Sequence, residues 1–530
     1  MERSVDIAVV GAGFAGMYMI RRAQQLGLSI QVFEAGDDVG GTWYWNRYPG
    51  ARCDVESVEY SYSFDDDLQQ EWEWTERYSA QPEILKYAQH VADRFELRDH
   101  IQFETRVVSA HFNESSSTWT TKTDKGDVIT SRFVVFATGC LSSANIPHFP
   151  GAETFSGSTY HTGQWPHEGV DFSGKRVGLI GTGSSAVQSI PIIAQEADHL
   201  TVFQRTASYA VPARNETIDH EYVKWVKANY KQFRDDNRQQ SAAFGSTTPR
   251  GDKSALEVSR EELWSDLESR WQRGGFGFLS GNTDFLLDER ANELAADFVR
   301  EKIAQIVKDP ATASALMPQQ ILGCKRLIID TGYFDTFNRD NVTLVSVKDH
   351  PIERITPNGL VTGGVEYEFD TLVYATGFDA MTGSLLKIDI RGRNGVTLAD
   401  AWEAGPVTYL GLTTAGFPNM FMVSGPGSPS VLTNMIMSIE QHVEFITDCI
   451  VDMDKQSRTT IETTSESQSQ WVHYVNAVAD RTLYPSCNSW YLGANVPGKP
   501  RVFMPLIGFP GYVEKCNEVI SNDYRGFQFA

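Results

Sequence analysis

Two glycine-rich turns, at residues 11–16 and 181–186, each follow an apolar run and lead into a helical pattern. Such turns let backbone N–H groups approach a pyrophosphate, and the helix that follows adds its positive N-terminal dipole. Glu34 follows the first turn at the distance where a carboxylate accepts hydrogen bonds from a ribose diol, whereas Gln204 and Arg205 stand at that distance after the second. A neutral side chain beside a guanidinium favours a 2'-phosphate. The sequence therefore predicts two different dinucleotide sites, although either turn alone could be an ordinary strand-to-helix connection.

A second repeat supports one fold used twice. Residues 133–139 and 372–377 are buried-strand patterns that both end in Ala-Thr-Gly, and we expect each to close one dinucleotide-binding unit. The expected fold is α/β, with two Rossmann-like dinucleotide-binding domains and a helical insertion. The predicted domains are 1–140 with 386–530, 151–214 with 325–385, an insertion at 215–324 and an inter-domain linker at 141–166.

The insertion and the C-terminal region show helical periodicity. One face of a predicted insertion helix carries Tyr222, Val223, Val226, Tyr230 and Phe233. A later helix has a stripe that begins at Met435, and a Gly/Pro-rich stretch follows from Ser486 to Tyr512. We interpret that stretch as a lid, with a solvated connector as the alternative.

Composition excludes several classes of function. The 530 residues exceed one ordinary core, and a net charge of -22 argues against nucleic acid or an anionic membrane as partner. No apolar run is long enough to span a bilayer, and the first strand begins almost at Met1, so we expect a soluble cytoplasmic protein without a signal peptide. The six cysteines lack C-x-x-C and metal-like spacing, which disfavours both a metal site and a dithiol redox pair.

Between the two predicted units stands a longer motif, Phe155-x-Gly157-x-x-x-His161-x-x-x-Trp165-Pro166. It resembles the fingerprint of type I Baeyer-Villiger monooxygenases at every specified position. Residues 40–50, 51–54, 323–326 and 488–491 resemble the same family, in order and over essentially the whole chain. The resemblance is closest to the phenylacetone and steroid monooxygenase branch, with cyclohexanone monooxygenases as more distant relatives.

The resemblance implies an FAD-containing flavoprotein that uses NADPH and O2. Such an enzyme forms a C4a-peroxyflavin that attacks an aryl, cyclic or steroid-like ketone, and the adduct rearranges to an ester or lactone. Its partners would be a small-molecule ketone and O2, with no obligatory protein partner. An N- or S-oxygenating flavin monooxygenase is the nearest alternative, and a flavoprotein reductase or a nucleotide-sensing scaffold are more distant ones.

The family also implies site residues. Arg326 matches the catalytic arginine, a permanent charge that keeps the peroxide anionic, and Asp54 would orient it. Lys325 would meet the NADPH 2'-phosphate with Arg205 and Thr206, while the fingerprint with His161 would organise the linker without touching substrate. The implied FAD residues are Gly11, Gly13, Phe14, Ala15, Gly16, Glu34, Thr42, Trp43, Tyr44, Trp45, Asp54, Tyr60, Val107 and Met435. The implied NADPH residues are Arg52, Cys53, Gly181, Thr182, Gly183, Ser184, Ser185, Ala186, Arg205, Thr206, Lys325, Arg326 and Trp490.

Overall fold

The computed structural model describes residues 3–501 and 506–530. Its strands belong mainly to two sheets, each built around one of the glycine turns. In chain order the strands are β1 Arg3–Val10, β2 Ile30–Phe33, β3 Ile101–Gln102, β4 Val107–Asn113, β5 Thr118–Thr123, β6 Val128–Phe136, β7 Ser158–His161, β8 Arg176–Ile180, β9 His199–Gln204, β10 Ala210–Pro212, β11 Ile328–Asp330, β12 Val342–Ser346, β13 Ile352–Thr356, β14 Gly359–Thr362, β15 Val365–Glu368, β16 Thr371–Tyr374, β17 Asp389–Arg391, β18 Met420–Met422, β19 Ile461–Thr463 and β20 Phe527–Phe529.

The helices cover both sheets and make up most of the predicted insertion. Within the described ranges, none of them combines the length and apolar character needed to span a bilayer. They are α1 Phe14–Leu26, α2 Thr42–Trp45, α3 Asp66–Glu71, α4 Gln81–Arg94, α5 Ser184–Glu196, α6 His220–Ala228, α7 Tyr230–Arg238, α8 Arg260–Arg273, α9 Glu289–Ile306, α10 Pro310–Leu316, α11 Tyr333–Thr336, α12 Gly383–Leu386, α13 Leu398–Ala401, α14 Met435–Lys455, α15 Ser465–Ala479 and α16 Gly508–Ser521.

The first sheet has the order β17-β4-β5-β6-β1-β2-β3, and β18 also pairs with β6. Strand β1 lies parallel to both β2 and β6, so its carboxyl end and the glycine turn open at one edge of the sheet. Helix α14 packs against α1, where the Tyr18 hydroxyl donates to Glu444 at 3.0 Å. Strands and a helix from the C-terminal half therefore complete the first unit.

The second sheet is entirely parallel, in the order β12-β9-β8-β16-β7. Its strand β7 comes from the predicted linker. The two Ala-Thr-Gly ends take the same place in both units: a Cβ on Gly11 would lie 2.6 Å from the Ala137 carbonyl oxygen, and one on Gly181 would lie 2.3 Å from that of Ala375. The two Rossmann-like units expected from the repeats are thus confirmed, whereas the domain boundaries stay predictions.

The insertion leaves and rejoins the second unit through the short parallel pair of β10 and β11. Its first helical stripe is divided, because α6 ends at Ala228 and α7 begins at Tyr230. The single continuous helix expected there is wrong, although Val226 and Phe233 are buried as the stripe requires. Asn229 separates the two helices, because its backbone leaves the helical region with φ -125° and ψ 19°, and its side-chain amide donates to the Trp225 carbonyl at 2.8 Å. Periodicity alone does not reveal this local break.

The Gly/Pro-rich stretch predicted from Ser486 to Tyr512 includes residues 502–505, which lie outside the described residues. Its part from 486 to 501 is named the C-terminal segment from here on. The Asn495 amide donates to the Phe378 carbonyl at 2.7 Å, and Lys499 forms an ion pair with Asp379. The C-terminal segment therefore rests on the chain that follows β16, next to the second glycine turn.

Candidate active site

The first glycine turn is held by the carboxylate that follows β2. Glu34 is buried, and its two oxygens accept the backbone N–H groups of Ala12 and Gly36, each at 2.8 Å. Each carboxylate oxygen has further lone pairs, so Glu34 can still accept hydrogen bonds from the two hydroxyls of a ribose. The residues at this turn fit a dinucleotide without a 2'-phosphate.

Two unpaired cations stand beside the second turn. Arg205 follows β9, and the Thr182 hydroxyl donates to the Thr206 carbonyl at 2.7 Å, which holds this loop against the turn. Burial, and then the nearby Arg205 guanidinium, lower the pKa of Lys325. Neither cation has a carboxylate partner among residues 3–501 and 506–530. Two neighbouring cations without an anion are unfavourable, and a 2'-phosphate would supply the missing negative charge.

The backbone of the second turn also leaves room for a pyrophosphate. Gly183 immediately precedes α5, and a Cβ placed on it would meet no atom within 4 Å. By contrast, a Cβ on Gly16 of the first turn would lie 1.9 Å from the Gly11 carbonyl oxygen, so that glycine is needed for helix-to-strand packing. Glycine therefore serves two purposes in these turns: it leaves space for a ligand at Gly183, and it permits close packing at Gly16.

Asp54 and Arg326 meet in a two-pronged ion pair, although 272 positions separate them in the chain. The Arg326 Nε donates to Asp54 Oδ2 at 2.5 Å, and Nη2 donates to Oδ1 at 2.7 Å. The Arg326 side chain is 21% exposed. Burial lowers the pKa of the guanidinium, but the Asp54 carboxylate outweighs burial and the net pKa is raised. Arg326 therefore stays charged at any working pH.

Three further groups position Arg326, and they come from three separate parts of the chain. Its Nη1 donates to the Val431 carbonyl at 2.6 Å, its Cζ lies 5.0 Å from the centroid of the Phe276 ring, and the Tyr491 hydroxyl lies close enough to help raise its pKa. The sequence assigned no role to Phe276 or Tyr491. A phenylalanine of an otherwise polar insertion carries no sequence signal for this contact.

The aromatic residues predicted for FAD lie next to the first turn. The Trp43 indole N–H donates to the Tyr60 hydroxyl at 3.1 Å, and the Phe14 ring lies 6.1 Å from that of Tyr60. Burial raises the pKa of Tyr60, so its phenol stays protonated. Tyr44 instead donates to Asp37 at 2.6 Å. Among the other predicted FAD residues, Thr42 is exposed, Trp45 half-buried, Val107 buried at the start of β4, and Met435 half-buried at the start of α14.

The linker fingerprint forms a structural joint. His161 is buried, and its Nδ1 accepts the Gly163 backbone N–H at 2.9 Å. The ring proton is therefore on Nε2, 3.2 Å from the Thr376 hydroxyl, which itself donates to the Asn145 carbonyl. Burial lowers the pKa of His161, against a smaller opposing effect of the Asn145 backbone, so the imidazole is neutral. Of the rest, Trp165 is buried in the second core, Pro166 follows it, and a Cβ on Gly157 would meet both Phe155 and the Asp370 carbonyl.

The remaining predicted NADPH residues have mixed surroundings. Arg52 is already engaged, because it forms an ion pair with Glu76 and donates to the Tyr78 carbonyl. Cys53 is buried, which raises the pKa of its thiol. Trp490 is half-buried in the C-terminal segment and packs against Tyr491, with ring centroids 4.4 Å apart and ring planes tilted by 43°. The Ser185 hydroxyl at the start of α5 pairs with that of Thr162 at 3.1 Å, and Ser184 and Ala186 belong to the same first turn of α5.

Two of the six cysteines are paired, which the sequence analysis did not anticipate. Cys324 and Cys487 form a disulfide, with Cα atoms 5.5 Å apart. Their sequence separation of 163 conceals the pairing from any spacing rule, since only the fold brings the C-terminal segment to the loop before Lys325. The described residues contain no cluster of His, Cys, Asp or Glu suited to a metal ion.

Two dinucleotide-type turns together with a guanidinium fixed by a carboxylate are typical of one class, the flavoprotein monooxygenases that use a pyridine nucleotide. Residues 4–233 match the family described as flavin-binding monooxygenase-like. The chain is 45% identical to a Baeyer-Villiger monooxygenase of Pseudooceanicola batsensis, over 98% of this chain and 95% of the relative. It is 44% identical to a phenazine N-monooxygenase of Lysobacter antibioticus, over 98% and 96%.

Among solved structures, an oxidised steroid monooxygenase bound to NADP superposes with a TM-score of 0.94. It shares 50% sequence identity and covers 99% of both chains. This chain therefore belongs to the Baeyer-Villiger monooxygenase family, as the linker fingerprint indicated, and it is a flavoprotein monooxygenase.

Proposed function

We propose that this enzyme binds FAD at the turn of residues 11–16 and NADPH at the turn of residues 181–186, and that it oxygenates ketones to esters or lactones. Bound FAD, once reduced by NADPH, supplies the chemistry that activates dioxygen. The protein distinguishes the two nucleotides by charge. Glu34 favours a free ribose diol, whereas Lys325 and Arg205 favour a 2'-phosphate.

The observation that carries the proposal is the Asp54–Arg326 pair. Oxygen insertion next to a carbonyl develops negative charge on oxygen, and a fixed cation nearby stabilises that charge. Arginine suits the task because it does not lose its proton in proteins and so cannot quench an oxygen anion. Asp54 fixes the plane of the guanidinium and leaves N–H groups of Nη1 and Nη2 available for a substrate.

The test compares Arg326→Ala with Arg326→Lys and the unchanged enzyme, supplied with NADPH, a ketone and isotopically labelled dioxygen. A single preorganised donor of this kind is worth about 3 to 4 kcal/mol, so ester formation by Arg326→Ala should fall by roughly 100- to 1000-fold. The flavin spectrum and the FAD content of the purified variant should not change. Labelled ester at the normal rate would refute the role of Arg326.

N-oxygenation is the second candidate, because a phenazine N-monooxygenase is nearly as similar to this chain as a ketone monooxygenase. Offering a cyclic or aryl ketone together with a heteroaromatic amine separates the two. An ester or lactone as the main labelled product supports the proposal, and an N-oxide as the main product replaces it.

The substrate class and the setting follow as parts of the same proposal. Similarity to a steroid monooxygenase favours bulky cyclic or aryl ketones. We further propose that the enzyme works in the cytoplasm and needs no protein partner beyond ketone, O2 and its nucleotides. A panel of linear, cyclic and aromatic ketones, with products identified as well as NADPH consumption followed, tests the substrate class.

A further inference from the structure

The disulfide between Cys324 and Cys487 joins two parts of the active site. Cys324 immediately precedes Lys325 and Arg326, and Cys487 opens the C-terminal segment that carries Trp490 and Tyr491. Both sulfur-bearing residues are buried, and Tyr491 reaches the guanidinium of Arg326. The covalent bond therefore ties the cover of the site to the loop that holds its cations.

The rest of the C-terminal segment is held by weaker contacts. Asn495 donates to the Phe378 carbonyl at 2.7 Å, and Lys499 pairs with Asp379, next to the end of β16. Such hydrogen bonds and a partly exposed ion pair can open and close reversibly. A covalent bond at the other end of the segment shortens its tether to the site, which favours reclosing and limits how far the segment can open.

We propose that Cys324 and Cys487 are a thiol-disulfide modification site, a latch that hydrogen peroxide closes over the nucleotide site and that a thiol reductant opens. The proposal rests on the proposed function in one respect, namely that NADP+ leaves from beneath the C-terminal segment. Peroxide is the oxidant because a flavoprotein monooxygenase that consumes NADPH without oxygenating substrate releases it. The latch then slows further consumption of NADPH when ketone is absent.

The chemistry balances without any further reactant. One cysteine thiolate attacks a peroxide oxygen, the O–O bond breaks, and a sulfenic acid and one water result after protonation. The second thiolate attacks that sulfur, the S–S bond forms, and the hydroxyl leaves as a second water. Two thiols lose two electrons in total, and one hydrogen peroxide is reduced to two waters.

The other cysteines offer an internal control. Cys53, Cys140, Cys449 and Cys516 are free and buried, and burial raises the pKa of each of their thiols, which makes them poor nucleophiles. Cys449 lies within α14, and the C-terminal segment belongs to a different part of the chain. Cys324 and Cys487 are buried as well, but their Cα atoms lie 5.5 Å apart, so a sulfenic acid on either one meets a second thiol at once. Peroxide at low excess should therefore join Cys324 to Cys487 before it oxidises the other four.

The first experiment follows the thiols of the full-length holoenzyme. After reduction, six thiols should be countable in denaturant, and after mild peroxide only the four of the free cysteines. A non-reducing peptide map should show one cross-linked peptide that contains residues 324 and 487. A native protein that keeps six thiols, or that cross-links other cysteines first, overturns the proposal.

The second experiment measures NADP+ release by rapid displacement in the reduced and oxidised holoenzyme. The oxidised form should release NADP+ about tenfold more slowly or slower still, and trypsin should cut after Arg501 more slowly. Cys324→Ser and Cys487→Ser should release NADP+ at the reduced rate with or without peroxide, whereas Cys449→Ser should respond as the unchanged protein does. Equal release rates in both forms overturn the latch.

These readouts need no ketone, so they separate the two proposals. If no ester forms but NADP+ release still changes with peroxide, the proposed ketone activity is refuted and the proposed latch is supported. If esters form normally but the NADP+ release rate is the same whether Cys324 and Cys487 are reduced or oxidised, only the proposed latch is refuted.

Discussion

Lys325→Ala should change which pyridine nucleotide the enzyme prefers. Lys325 has no carboxylate partner within the described ranges and stands beside Arg205, so its charge is free to meet a phosphate. One charge-assisted hydrogen bond is worth about 1.5 to 3 kcal/mol. Since about 1.4 kcal/mol is a factor of ten, the variant should bind NADPH roughly 10- to 100-fold more weakly. NADH lacks the 2'-phosphate and should bind as before.

The assay measures the Kd and the KM of both nucleotides for three proteins. Lys175→Ala is the matched control, because it removes the same charge from an exposed site at the opposite end of β8 from the glycine turn. Lys325→Arg keeps the charge and should retain most of the preference for NADPH. The reasoning is refuted if Lys325→Ala weakens NADH and NADPH by the same factor.

The same site predicts a pH dependence. Burial and Arg205 lower the pKa of Lys325 in the free enzyme, so the amine loses its proton at a lower pH than an exposed lysine. The preference for NADPH should therefore decline as pH rises through that lowered pKa. In Lys325→Arg the preference should stay level over the same range, because a guanidinium keeps its proton.

Three further predictions test other parts of the site and the fold. Asp54→Asn removes the charge that orients Arg326 and should lower kcat for ester formation by roughly 10- to 100-fold at unchanged FAD content; an unaltered kcat would contradict the orienting role. Gly183→Ala should keep the Tm and weaken NADPH binding, because its Cβ meets no protein atom within 4 Å, whereas Gly16→Ala should lower the Tm by several degrees, because its Cβ would lie 1.9 Å from a carbonyl oxygen. Burial lowers the pKa of His442 to about 3 from 6.5, so its share of stability is complete above pH 6.5 and is lost as pH falls toward 3. Thermal melts of His442→Gln should depend less on pH in that window, and an unchanged slope would show that another group governs acid stability.

The parts that the sequence predicted well are local. A glycine turn is bounded by its own strand and helix, so the turns at residues 11–16 and 181–186 can be recognised from the residues next to them. Glu34 and Arg205 follow at a distance that one helix and one strand determine. The linker fingerprint behaves in the same way, since His161 bonds to Gly163, two residues later.

Only the tertiary structure decided which distant residues meet. The family resemblance had implied that Asp54 orients Arg326, but the other groups around the guanidinium come from the insertion, from the loop before α14 and from the C-terminal segment. The disulfide between Cys324 and Cys487 has the same origin. The conformation of a turn depends on residues that are neighbours in the chain, so it can be predicted from the sequence. Contacts across 100 or more positions depend on how the packed units approach one another, and no local pattern in the chain records that approach.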